Sequence, residues 1–405
     1  MQMQSNSNIV TLDTAAEGPG SASRKMTVVF IKNFEMLEDY IQAWEDLAAD
    51  ALEPNPFYEP WMLMPALDSL AAGKDLGVVL VLAMDQQKPV LCGVFPLEKK
   101  ARYRGLPVAG FSLWRHIYCA LCTPLIRRDC ARQCLDAFLD WLATECGGPL
   151  MEFNSISGEG CFHELLNDCL LKRGHPSFVC ESYARALFRP MESADKYLQT
   201  AISPKHRKDL RRKQKRLSEK GQLTFDELDA GGDAERWIDE FLALEANSWK
   251  GKQGGAFACD EANRDYFVAM AREAFLRGKL LMSAMRLDGK PIAQKFSFVS
   301  GRASFAFKIA FDEYYALFSP GMLLEVENIR RLHARPDIKW MDSCAAPIHF
   351  INRIWHDRRT IQTVLVSTGR RSGAFVILLI PFLRWLNRAL RAFSRRQYTQ
   401  KESQQ

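Results

Sequence analysis

One pattern restricts this chain more than any other, because it occurs twice. Val78 to Met84 is a continuous aliphatic run, broken by the turn signal Asp85-Gln-Gln-Lys-Pro89 and resumed from Val90 to Leu97. Leu280 to Leu287, Asp288-Gly-Lys-Pro291 and Ile292 to Val299 repeat the arrangement far downstream. Each reads as a β-hairpin: two strand-length apolar runs around residues that suit a tight turn. The recurrence points to an internal duplication, and 405 residues suit two domains better than one.

Amphipathic segments surround both hairpins. Phe34 to Asp50 sets Leu37, Tyr40, Ile41, Trp44, Leu47 and Ala48 at helical spacing, and Ala131 to Cys146 does so with Leu135, Phe138, Leu139 and Leu142. Leu150 to Asn154 reads as a strand, Phe162 to Leu171 as a helix stopped by Gly174, and Phe178 to Phe188 as a strand. In the second half, Glu235 to Trp249 and Arg264 to Leu276 are helices, and Ala303 to Phe311 is a strand. A helix from Pro320 to Ala334 and strands at Ile338 to Asp342 and Ile361 to Val366 complete the plan. Strands mixed with helices predict an α/β fold with mixed sheets flanked by helices.

The termini differ from the body. Residues 1–26 are rich in Ser, Gln, Asn and Gly and contain no apolar run, which predicts a disordered tail and no signal peptide. Residues 371–405 form a basic amphipathic tail in which AFVILLIPFL precedes Arg384, Arg388 and Arg391. This apolar stretch is too short to span a bilayer. It suits either docking on the body or lying in a membrane interface.

The eleven cysteines sit mainly in apolar runs, as buried thiols do in a reducing, cytoplasmic setting. Cys119, Cys122, Cys130 and Cys134 are spaced closely enough to raise a zinc site. However, Cys119 and Cys122 fall in a strand-like run that would point them to opposite faces, so no metal is expected. The net charge of +6 is local: eight Lys/Arg and a single Asp lie between Lys205 and Arg216. Ser203-Pro204 opens a helix there, Gly221 stops it, and Leu210 and Leu217 mark its narrow apolar stripe.

No nucleophile elbow, Walker loop, zinc-protease motif or dinucleotide fingerprint is present. His349 and His356 are seven apart, and satisfied surface roles are expected for both. What remains is direct transfer between two bound substrates, driven by positioning and charge. The strand ending at Phe311 leads through a loop to Ser319-Pro320-Gly321 at a helix N-terminus. Such an end offers unpaired amides and partial positive charge to an anion, or is simply a capped helix. Asp312, Glu313, Tyr315 and Asp342 lie at strand ends near this loop and are the candidates for moving a proton.

Ser203-Pro-Lys-His-Arg-Lys-Asp-Leu-Arg-Arg212, Trp249-Lys-Gly251, Asp288-Gly-Lys-Pro-Ile-Ala293 and Lys308-Ile-Ala-Phe-Asp-Glu313 with Ser319-Pro-Gly321 occur in this order. Together they resemble the GNAT-type acyltransferases associated with cellulose and exopolysaccharide biosynthesis, the CelD-like group. That group is similar to the Fem peptidoglycan-bridge aminoacyltransferases. The resemblance implies tandem GNAT-like (acyl-CoA N-acyltransferase) domains, here at 27–200 and 201–370. It implies acyl transfer from acyl-CoA, such as acetyl-CoA, to an amine or hydroxyl in envelope metabolism. Ser319, Pro320, Gly321 and Met322 would then hold the coenzyme A pyrophosphate, although the usual Arg/Gln-x-x-Gly-x-Gly/Ala pattern is absent. Lys205, Arg207, Lys208 and Arg211 would grip a phosphate-bearing acceptor, and Lys308 would face the cleft or solvent. Asp312, Tyr315 and Asp342 are the catalytic candidates. The Fem likeness also implies an alternative, an aminoacyl-tRNA donor; a further alternative is a non-catalytic partner of a polysaccharide synthase, anchored through the tail.

Overall fold

The computed structural model describes residues 7–12, 25–85, 88–103, 107–145 and 147–381. In the first half the strands are β1 (Ser7–Leu12), β2 (Met26–Ile31), β3 (Leu76–Asp85), β4 (Lys88–Lys100), β5 (Gly110–Leu113), β6 (Leu125–Ile126), β7 (Leu150–Ser157) and β8 (Ser177–Phe188). The second half supplies β9 (Leu223–Glu227), β10 (Leu280–Leu287), β11 (Lys290–Ser300), β12 (Ala303–Phe311), β13 (Trp340–Asp342) and β14 (Asp357–Ser367). The helices are α1 (Ile41–Ala49), α2 (Pro60–Leu70), α3 (Ala131–Thr144), α4 (Cys161–Lys172), α5 (Ala194–Ala201), α6 (Pro204–Ser218), α7 (Ala234–Ala246), α8 (Trp249–Lys252), α9 (Glu261–Leu276) and α10 (Pro320–His333).

All fourteen strands form one mixed sheet, in the order β1-β2-β3-β4-β5-β7-β14-β8-β13-β12-β11-β10-β9, with β6 on β4. Both expected hairpins are present as β3–β4 and β10–β11. Each contains one register slip, between Val81 and Leu82 in the first and between Met285 and Arg286 in the second. Each half then adds one parallel pair, β5–β7 and β12–β13, through a helix-bearing crossover. The last strands trade places. β14 lies antiparallel between β7 and β8, and β8 pairs onward to β13. One large apolar core runs through both halves, and a second lies under α5, α6 and α10.

The seam between the halves is tied by buried ions. Asp342 is fully buried and bound by Arg185, itself 1% exposed, and by Arg359, with the Arg359 contact at 2.9 Å. Glu59 of the first half takes Lys279 and Ser300 of the second.

Two expectations change, and one open choice gains an observation. Residues 7–12, taken as part of a disordered tail, run antiparallel to β2 with Val10 opposite Val28; the short Asn-Ile-Val-Thr-Leu stretch is enough to extend an edge. The remainder of residues 1–24 lies outside the described residues. The Cys119–Cys122 run is no strand but an irregular segment buried between the halves, and its Sγ atoms sit 3.6 Å apart rather than on opposite faces. Among the described residues no group of three or more His, Cys, Asp or Glu could hold a metal. Residues 371–381 are helical and dock through Ile377 and Ile380 onto Tyr103, Leu150, Cys180 and Leu365. Residues 382–405 lie outside the described residues. None of the described helices is long and apolar enough to cross a membrane.

Candidate functional site

The site arises where two parallel strands part. Ala303, Ser304 and Phe305 pair with Trp340, Met341 and Asp342, and the pairing stops there. Past Asp342 the chain turns through Cys344 in a left-handed conformation (φ 50°), which a non-glycine residue adopts at a cost. The turn is held by the Cys344 amide donating to Asp342 Oδ1 at 2.9 Å. A cleft of about 450 Å³ opens beside the gap. Ala306, Phe307, Lys308, Ile309 and Phe311 of β12 line one wall, and Ser343, Cys344, Ala345, His349, Phe350 and Ile351 line the other, with Glu325 of α10 and Lys250 of α8.

Three lysines reach this cleft in three different states. Lys250 Nζ donates to Glu245 Oε1 at 3.1 Å and to the Ile309 carbonyl at 3.3 Å. Lys295 is buried and pairs with Glu325, whose other oxygen accepts from Asn328 at 2.8 Å. Burial lowers the Lys295 pKa although Glu325 opposes the shift. Lys308 has no carboxylate partner among the described residues. Its ammonium lies 5.0 Å from the Tyr118 ring centre and 5.1 Å from that of Phe257, a cation–π setting. Burial, reinforced by the nearby Lys250 charge and only partly offset by Glu245, lowers the Lys308 pKa to about 8.

His349 accepts a hydrogen bond from the Ile351 amide on Nδ1 at 3.3 Å. The neutral ring therefore carries its proton on Nε2 and is a donor there. Burial favours this neutral form, and Lys250 and Lys295 favour it further, against the pull of Glu325. His349 is thus a half-buried cleft residue rather than the satisfied surface histidine the sequence suggested.

The sequence-based candidates scatter. Asp342 cannot serve as a base. Burial penalises its charge, but Arg185 and Arg359 more than offset that and hold its pKa below the usual carboxylate value; its role is to anchor the Cys344 turn. Asp312 Oδ1 caps its own turn by accepting from the Tyr314 amide at 2.9 Å. Glu313 is taken by the Trp249 amide and by Lys252. Tyr315 packs against the second core, away from the cleft lining, and burial raises its pKa.

The Ser319–Met322 turn does open α10 beside the cleft: a Cβ added at Gly321 would lie 3.4 Å from Ile309 Cδ1 and 3.6 Å from Phe311 Cδ1. Pro320 and Gly321 are buried, and Ser319 is left-handed (φ 54°). The Met322 and Leu323 amides both bond the Ser319 carbonyl. Gly321 supplies the one amide of this first turn without an acceptor among the described residues, so the turn is a smaller anion cradle than expected.

The basic helix α6 also divides. Lys205 and Lys208 border a surface groove of about 580 Å³ with Ser203, His206, Asp209 and Arg212. Arg207 Nη1 donates to the Leu198, Gln199 and Ile202 carbonyls at the end of α5, and the residue lines a small crevice rather than the groove. Arg211 lines the same crevice, of about 70 Å³, beside Arg330. Of the expected substrate-binding residues, Lys308 alone lines the main cleft. Lys250, Lys295 and Glu325 were not singled out, and His349 was given only a surface role. Lys250 lay within a noted motif and Lys295 just beyond one, which is the signal that was available.

Comparison with known proteins places a family match on the second half of the chain. Residues 204–350 match the model of the Acetyltransferase (GNAT) domain. The structure of FemX superposes with a TM-score of 0.52 at 10% identity, over 80% of this chain and 95% of that one. A conserved protein of unknown function from Bacteroides thetaiotaomicron gives 0.50 at 12% identity, over 81% and 97%. The C-terminal domain (DUF2156) of a putative lysylphosphatidylglycerol synthetase from Agrobacterium fabrum gives 0.50 at 12%, over 85% and 96%. At such identities these likenesses show the fold alone. No curated protein matches the chain by sequence. The matched segment contains every cleft residue except Ile351, so the cleft lies in the part of the chain that carries an acetyltransferase (GNAT) domain.

Proposed function

We propose that the chain moves an acyl group from acyl-CoA to an amine or hydroxyl acceptor by direct attack in the cleft between β12 and residues 343–351. One observation carries the reading: β12 loses its parallel neighbour after Phe305. The free edge beyond it suits an extended arm bearing amides, as the pantetheine of coenzyme A does. The Ile309 carbonyl on this strand is already met by Lys250. The Gly321 amide and Lys213, which donates to Ser319 Oγ at 2.9 Å, lie where the diphosphate would follow. Neutral Lys308 accepts the proton of the attacking amine, and the Lys250 and Lys295 ammonium groups stabilise the oxyanion.

Calorimetric titration with acetyl-CoA and free CoA tests this. Binding should be micromolar and lost on Gly321→Trp, whose ring would fill the space against Ile309 and Phe311. Wild-type protein that takes up neither ligand would sink the reading. An envelope or exopolysaccharide acceptor, as in the CelD-like group, rests on the motif resemblance.

A second reading keeps the fold but takes aminoacyl-tRNA as donor. The α6 groove with Lys205, Lys208 and Arg212 favours it, as does an α10 turn with one free amide, at Gly321, among the described residues. It requires salt-sensitive tRNA binding that is lost with Lys205→Glu/Lys208→Glu. For location we propose peripheral attachment to an anionic membrane. The helix at 371–381 exposes Phe375 and Leu378 beside Arg370 and Arg371.

A further inference from the structure

We propose that Lys308 is itself an acylation site, taking the acyl group from the thioester bound in its own cleft. This rests on the acyl-CoA reading above. Of the three cleft lysines, Lys250 is committed to Glu245 and the Ile309 carbonyl, and Lys295 to Glu325. Among the described residues the Lys308 ammonium meets only the faces of Tyr118 and Phe257. No hydrogen bond must be broken to free its lone pair. The charged groups acting on it are Lys250 of α8, which favours the neutral amine, and Glu245 of α7, which opposes it; burial acts in the same sense as Lys250. Tyr118 brings a phenol from the first half, and burial keeps it protonated.

In the reaction the Nζ lone pair attacks the thioester carbonyl. A C–N bond forms, the C–S bond breaks, and the proton shed by nitrogen leaves with the coenzyme A thiol. The product is a neutral amide whose acyl end packs beside Phe307 and Phe257. It removes a buried positive charge and also the group that accepts the acceptor's proton. The modification therefore silences the cleft when thioester is abundant and acceptor is scarce.

The test is to incubate the full-length protein with acetyl-CoA and no acceptor, then follow intact mass and map the label by peptide mass spectrometry. One acetyl group is expected on Lys308, stable to hydroxylamine. Its rate of formation should rise roughly tenfold between about pH 6 and 7 and flatten above about pH 8. Lys308→Arg should bind acetyl-CoA in calorimetry and gain no such label. Label confined to the exposed lysines of α6, or hydroxylamine-labile label on Cys344, overturns the inference. If acetyl-CoA binds and acceptors turn over while Lys308 stays unmodified, this inference alone falls. If acetyl-CoA does not bind at all, the transferase reading falls with it.

Discussion

Lys213 of the basic helix α6 donates to Ser319 Oγ at 2.9 Å, tying the most charged segment of the chain to the strained turn that opens α10. The contact gives α6 a part in the site that does not depend on its exposed face. Replacing Lys213 with Met should weaken acetyl-CoA binding by roughly threefold to tenfold, with little change in thermal stability, since a half-exposed hydrogen bond to an ammonium contributes about 1 kcal/mol. Calorimetry beside a melting curve separates the two effects. Unchanged affinity would mean that no anion is held at this turn.

Lys308 should be a residue the fold would be better without. Burial lowers its pKa from 10.5 to about 8, so at about pH 7 the native state holds a charge it disfavours. Lys308→Met should therefore raise unfolding free energy by about 1–3 kcal/mol while abolishing transfer. Because the folded pKa is depressed, the unfolded chain binds more protons between about pH 8 and the ordinary lysine value. Wild-type stability rises with pH across that window, and the gap to the variant closes. Urea melts at both ends of the window would show it.

The same titration sets the rate. If neutral Lys308 takes the proton, kcat/KM should climb through about pH 8 and level off. A profile with no inflection near there would remove Lys308 from proton transfer.

Asp342 is the opposite case. Arg185 and Arg359 lower its pKa despite complete burial. Asp342→Asn leaves two guanidinium groups short of their counter-charge and should cost about 3–5 kcal/mol. The depressed pKa makes this contribution fully present above the ordinary aspartate value and lost as pH falls through the folded value. The variant's deficit should therefore shrink in acid. It should also loosen the Cys344 turn and raise KM for acetyl-CoA more than a distant variant of equal stability.

Phe375→Asp/Leu378→Asp changes two exposed side chains of the terminal helix, at 64% and 72% exposure, and should leave the melting temperature unaltered. Co-sedimentation with vesicles rich in phosphatidylglycerol should drop several-fold, while neutral phosphatidylcholine vesicles bind neither protein. Equal sedimentation of both proteins would leave the helix with a packing role only.

Local order was largely legible in the sequence. The expected helix at Ala131 to Cys146 is α3, Pro320 to Ala334 is α10, and both hairpins fall where their turn residues place them, because periodicity and turn chemistry act over a few residues. Helix α2 escaped notice: Pro60 opens it and Pro65 lies inside it, so its composition reads as a loop. The pairing of β14 with β7 and β8 joins residues far apart in sequence, and no local pattern encodes it. The site was half legible for the same reason. The Gly321 turn is a contiguous motif and could be read. The cleft is assembled from Lys250, Lys295, Lys308, Glu325 and His349, which come together only once the sheet exists. Asp342 was misjudged because its position at a strand end is visible in sequence, whereas the two arginines that neutralise it are not.

The interleaving of β8 and β14 bears on how the chain is made. Residues 177–188 emerge from the ribosome long before residues 340–342 and 357–367, which they must flank. Until then the nascent polypeptide carries a strand with both edges bare, a state that invites aggregation. Expression of a fragment ending near residue 200 should give insoluble material. Co-expressing the remainder, as a separate polypeptide, should restore solubility in proportion to its yield.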